Sequence, residues 1–159
     1  MAGVLEALIV REEFAEYPVV DLNQGWALLP LTDALHVELG DDERPFPDAE
    51  RLTRGIIQLA ERASAPGTSV YVHSEFHGGT GFQAAACWSE GAMSCKPLLT
   101  ANHPTEALTE NYEVVGKSQD MAINRALRLV GVTNDGSGDE YAAIGLERFR
   151  WTDEWALRL

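Results

Sequence analysis

The chain has 159 residues, 45% of them hydrophobic, and a formal net charge of −13. That length suits one domain with a core large enough to fold without a disulfide or metal staple. The charge argues against nucleic acid or anionic membrane as a partner, and no stretch approaches the roughly 20 apolar residues of a membrane span.

The charge is unevenly spread. Residues 1–50 hold twelve carboxylates against Arg11 and Arg44, a net of −10. Such a field speeds encounter with a basic partner. The N-terminus carries Glu6 and lacks both a basic leader and a cleavage-site pattern, so the expected location is the cytoplasm. Two cysteines, Cys87 and Cys95, suit a reducing compartment as free thiols. They flank a turn at Glu90-Gly91, and a two-residue turn there would put them on opposite faces of a sheet.

In chain order, residues 4–10 and 25–31 read as short apolar strands. The second leads into a short helix behind Thr32, an acceptable N-cap. A long helix is expected from about Pro47 to Ala63, with Leu52, Ile56, Leu59, Ala60 and Ala63 as its buried stripe. Strands follow at about 68–77, 81–88 and 92–97, joined by connections too short for anything but antiparallel neighbours. A second helix is expected from the N-cap candidate Ser118 to Val130, stopped by Gly131, with Ala122, Ile123, Ala126 and Leu127 inward. The run from Asn134 to Asp139 reads as a surface loop, and a last helix begins after Thr152.

Strands broken by a few helices indicate a single α+β domain over residues 1–159. Its expected form is an antiparallel sheet with a three-strand meander, covered on one face by the two main helices. Val70, Val72 and Phe76 would then share one core with Ile56, Leu59, Ile123, Leu127 and Val130.

The best local candidate for chemistry is His73-Ser74-Glu75-Phe76-His77. On a strand His73, Glu75 and His77 share a face with Tyr71, and two imidazoles with a carboxylate form a ligand set for zinc or non-heme iron. Alternate strand residues stand about 6–7 Å apart at Cα, however, so one ion reaches both histidines only if the strand bends strongly. The ordinary explanation is the polar, solvent-facing side of a half-buried sheet. Gly78-Gly79-Thr80-Gly81 opens a strand and not a helix, which makes it a hairpin turn and not a phosphate cradle. His36 and His103 stand isolated and read as surface or capping histidines. Of Trp26, Trp88, Trp151 and Trp155, core packing is the default, and any exposed member is an interface anchor.

Three stretches also carry a family likeness: Tyr71 to Trp88, Ile123 to Val132, and Asp139 to Trp155. In this order they resemble small bacterial proteins of unassigned function, some of which look like immunity proteins of toxin systems. The resemblance covers roughly residues 70–155. Its recurring signature is an aromatic-Gly-Gly-x-Gly-x-Gln-Ala-Ala segment, here Phe76 to Ala85 with His77 in place of an aromatic. It implies no catalytic residue.

The leading expectation is therefore a non-enzymatic acidic domain without cofactor, an immunity-type inhibitor of a basic protein such as a toxin. Its partner-binding face would comprise Glu12, Glu13, Glu16, Asp41, Asp42 and Glu43. The alternative is a small metal-dependent hydrolase centred on His73, Glu75 and His77.

Overall fold

The structure, a computed structural model, describes residues 2–40, 42–104 and 111–159. Seven strands form one mixed sheet: β1 (Gly3–Arg11), β2 (Val20–Asp21), β3 (Trp26–Pro30), β4 (Thr68–His77), β5 (Thr80–Ser89), β6 (Ala92–Ala101) and β7 (Glu113–Val114). Their order across the sheet is β2-β3-β1-β4-β5-β6-β7. All neighbours are antiparallel except β6 and β7, which run parallel. Five α-helices are described: α1 (Asp33–Leu39), α2 (Arg54–Ser64), α3 (Ala122–Leu129), α4 (Glu140–Ile144) and α5 (Thr152–Ala156). None is long and apolar enough to cross a membrane.

The helices do not share one face of the sheet. Strand alternation sends Leu5, Ala7, Ile9, Val70, Val72, Ala85 and Cys87 to one side, where Ile123, Ala126 and Leu127 of α3 cover them. Leu8, Val10, Tyr71, Ala86 and Trp88 point the other way, against Ile56, Leu59 and Ala60 of α2. The expected single core is thus two cores: Ile56 and Leu59 lie across the sheet from Val70, Val72, Ile123, Leu127 and Val130. Phe76 is half-buried at the end of the α3 side. The physical reason lies in Tyr71 and His73, whose polar tips suggest a wet face. Both are buried, because a hydrogen-bonded polar tip can enter a core.

Helix α2 begins later than Pro47. Thr53 sits in extended backbone and its side chain accepts from Ile56 N, so the cap is the threonine, and residues 47–51 form turns ahead of it. Helix α3 is likewise not capped by Ser118, which opens a short 3-10 turn instead. Its first free N–H groups donate to the sheet: Ala122 N to Thr100 Oγ1 at 2.8 Å and Ile123 N to Gln83 Oε1 at 3.0 Å. Strand side chains therefore fix where α3 starts. Helix α4, capped by Asp139, begins where the loop read from Asn134 to Asp139 ends.

The turn between β4 and β5 is Gly78-Gly79, both at positive φ (62° and 85°), the requirement of a type I′ hairpin. The Glu90-Gly91 turn is also of two residues, yet it does not separate the cysteines. Register shifts on either side of Cys87 bring Cys95 directly opposite it, on the same face. Both thiols are free, and burial together with Cys95 pushes the Cys87 thiol up to about 12.

Gly55 supports the contact between α1 and α2. A side chain there would strike the Leu39 carbonyl oxygen at the end of α1. Helix propensity alone favours alanine by about 1 kcal/mol, whereas overpacking against backbone costs about 1–3 kcal/mol. The Gly55→Ala variant should therefore be less stable by about 1 kcal/mol, read from its urea midpoint, and a gain in stability would refute the close approach.

Candidate functional site

The free end of the sheet, where β1 begins and β4 finishes, carries a cavity on each face. Alternation allots the residues: Val4, Glu6 and Glu75 line the cavity on the α1–α2 side, while Gly3, Leu5, Ser74 and Phe76 line the one on the α3 side. The His73-to-His77 segment is divided between them. The chain leaving α4 is divided too, with Arg150 on the α3 side and Trp151 on the other.

On the α1–α2 side the organising group is Glu6. Its side chain is buried, with the residue only 2% exposed. Oε2 accepts from the Tyr71 hydroxyl at 2.7 Å, and Oε1 accepts from Arg51 Nε at 2.8 Å and lies 2.8 Å from His36 Nε2. Three separate segments thus converge on one strand residue. His36 is buried and not a surface histidine, because α1 lays it over this carboxylate. Burial and the Glu6 charge hold the Tyr71 hydroxyl protonated, with a pKa well above its ordinary value. An isolated glutamate inside Val4-Leu5-Glu6-Ala7-Leu8-Ile9-Val10 is the sequence signal for such a network, since a buried charge requires partners.

Outside Glu6 the surface opens into a cleft of about 290 Å³. Glu6, Asp33, Glu75 and Asp153 line it against one cation, Arg51, with Trp151 at the rim. Trp151 is 42% exposed, whereas Trp155, one turn on, is fully buried. The cleft is therefore acidic and edged by an accessible aromatic. Arg51 also reaches Asp33 at 3.4 Å.

The three residues of the candidate metal set have separate fates. His73 is buried, with Nε2 2.9 Å from Glu75 Oε2 and its ring edge-on to Phe82 at 5.3 Å. His77 is exposed at the strand's last position. The structure joins His73 and Glu75 by a hydrogen bond in which His77 takes no part, and among the described residues no group of three or more His, Cys, Asp or Glu is placed to hold a metal ion.

The acidic residues expected to form the partner-binding face are exposed where described: Glu12, Glu13, Glu16, Asp42 and Glu43 all face solvent. Two are already paired, Glu16 with Arg62 at 2.8 Å and Glu43 with Arg54 at 2.7 Å. These pairs sit at opposite ends of α2, so the acidic residues frame the helix and do not form one compact patch. Asp41 lies outside the described residues.

Two outcomes test this electrostatic frame. Replacing Glu6 by Gln leaves a buried amide facing Arg51 and His36, and should cost about 3 kcal/mol in urea unfolding, the scale of a broken buried pair. The second concerns Glu75, whose carboxyl is held below the ordinary range by the His73 hydrogen bond against the opposing effect of burial. With the folded pKa below the unfolded one, the stabilisation is complete above the ordinary value of about 4.3 and is lost as pH falls through the folded value. Urea midpoints between about pH 6 and pH 3 should fall less for Glu75→Gln than for wild type.

Comparison with known protein families, with curated proteins and with solved structures finds no match to this chain.

Proposed function

We propose that the chain is a non-enzymatic acidic domain that binds a basic protein, in the manner of an immunity-type inhibitor. The observation that carries this reading is the cleft in which Glu6, Asp33, Glu75 and Asp153 face one guanidinium beside the exposed indole of Trp151. A carboxylate-lined cleft with an accessible tryptophan at its lip suits an incoming lysine or arginine side chain, through charge and cation–π attraction. Because Glu6 is already satisfied by three partners, the charge left to attract a ligand comes from Asp33, Glu75 and Asp153.

The wider surface supports the same reading. Asp48 and Glu50 lie close enough, with Glu75, to raise the Tyr112 hydroxyl beyond what its burial alone does, to about 12. Glu12, Glu13 and Asp42 add exposed charge. Such an extended field steers diffusion, while the cleft supplies the anchor. Glu16 and Glu43 contribute less than their number suggests, since each is neutralised by an arginine.

The test begins with capture of a basic protein by the immobilised full chain from lysate of its native cells, followed by association kinetics with that partner across a salt series. Asp33→Asn combined with Asp153→Asn should slow association about tenfold at low salt, and the difference should shrink near 0.5 M salt. Trp151→Ala should chiefly speed dissociation. Equal association rates for wild type and the double variant at every ionic strength would refute the acidic cleft as the docking site.

A further inference from the structure

The cavity on the α3 side differs in kind from the acidic cleft. Its volume is about 560 Å³, inside the range of roughly 300–1,000 Å³ in which small organic ligands are held. Much of its wall is apolar, from Leu5, Phe76, Val115, Met121 and Phe149. Two polar side chains on its floor, Ser74 and Gln83, are 8% and 9% exposed.

These two side chains have spare hydrogen-bonding capacity. Gln83 is oriented by the Ile123 N–H, which donates to its Oε1 at 3.0 Å. The opposite end of the amide, Nε2, is consequently a donor, and no acceptor for it lies among the described residues. The Ser74 hydroxyl also has no partner among the described residues. Both side chains line the cavity while their residues are about nine-tenths buried, so a group that accepts from them is favoured at this spot.

The surroundings specify the charge of that group. The first turn of α3 forms part of the wall through Met121 and Asn124, placing the positive end of the helix dipole beside the floor. Lys117 and Arg150 stand at the exposed rim. Of the two acids lining the cavity, Asp139 is already engaged by Ala142 N at 2.9 Å and Asn124 Nδ2 at 3.1 Å. Glu147 lies at the exposed edge with the two cations.

We infer that this cavity binds a small amphipathic carboxylate, its carboxyl group accepting from Gln83 Nε2 and Ser74 Oγ and its hydrocarbon or aromatic body lying against Leu5, Phe76 and Phe149. The inference is independent of the protein-binding reading, because the two cavities open on opposite faces of the sheet and share no lining residue. Apolar walls disfavour inorganic anions, which have nothing to bury. Donor-rich polar groups disfavour amines.

The full chain should be titrated calorimetrically with phenylacetate and with octanoate, alongside 2-phenylethanol, 1-octanol and inorganic phosphate. At least one carboxylate should bind saturably at one molecule per chain. The matching alcohol should bind about tenfold more weakly, since hydrogen bonds to a charged group are the stronger kind. Gln83→Glu keeps an acceptor for Ile123 N while replacing the donor with a negative charge, and should lower carboxylate affinity at least about tenfold. Ser74→Ala, which disturbs no helix contact, should lower it several-fold and serves if Gln83→Glu does not fold. Absence of saturable binding by both carboxylates, alcohols binding as tightly as acids, or undiminished affinity in both variants would overturn the inference.

Discussion

Burial on both sides is the constraint from which the arrangement of this domain follows. Strands β1, β4 and β5 lie in the interior of the sheet, and their side chains must satisfy an α2 layer on one face and an α3 layer on the other. Every residue from Leu5 to Val10 and from Ala84 to Trp88 is consequently buried, with no polar side to spare. Polar groups on these strands are costly to bury unpaired, and Trp88 Nε1 is a buried donor left without a partner among the described residues. Glu6 is paired three times, and Ser69 donates to the Ala60 carbonyl at 2.8 Å, tying β4 to α2.

The helices are correspondingly positioned by strand side chains. Gln83 and Thr100 set the start of α3, and Glu6 receives His36 of α1 and Arg51 ahead of α2. At the N-terminal end of β1 the partner is α5: Glu6 N donates to Thr152 Oγ1 at 2.9 Å, and that hydroxyl donates to Val4 O at 3.2 Å. The threonine continues the ladder where β3 has ended at Pro30, opposite Ala7. The same contact sets Arg150 and Trp151 at the free end of the sheet, one for each cavity.

The two cavities illustrate how one short sequence builds two chemistries. Ser74 and Phe76 face a mostly apolar space with unpaired donors, and Glu75 faces an acidic cleft. Residues one apart on a strand see different surroundings and different charges. One strand can thus border two chemically distinct cavities without added length.

Much of the local structure is determined by the sequence itself. The apolar run at residues 4–10, the Thr32 cap, the paired glycines at Gly78-Gly79 and the stripes of Ile56, Leu59, Ile123 and Leu127 each obey short-range rules of period, capping and turn conformation. The acidity of the first third is also plain in the sequence. Tertiary structure alone decided which helix covers which face, because a helical stripe states that it will be buried and not against what. It decided that Tyr71 and His73 are interior: Tyr71 finds Glu6 only once β1 and β4 are paired, while His73 meets Glu75 two residues along its own strand. It decided that Cys95 lies opposite Cys87, through register shifts that turn length does not encode. And it decided the candidate sites, for Glu6, Arg51, Asp33 and Trp151 are scattered over the chain and become neighbours only through long-range packing.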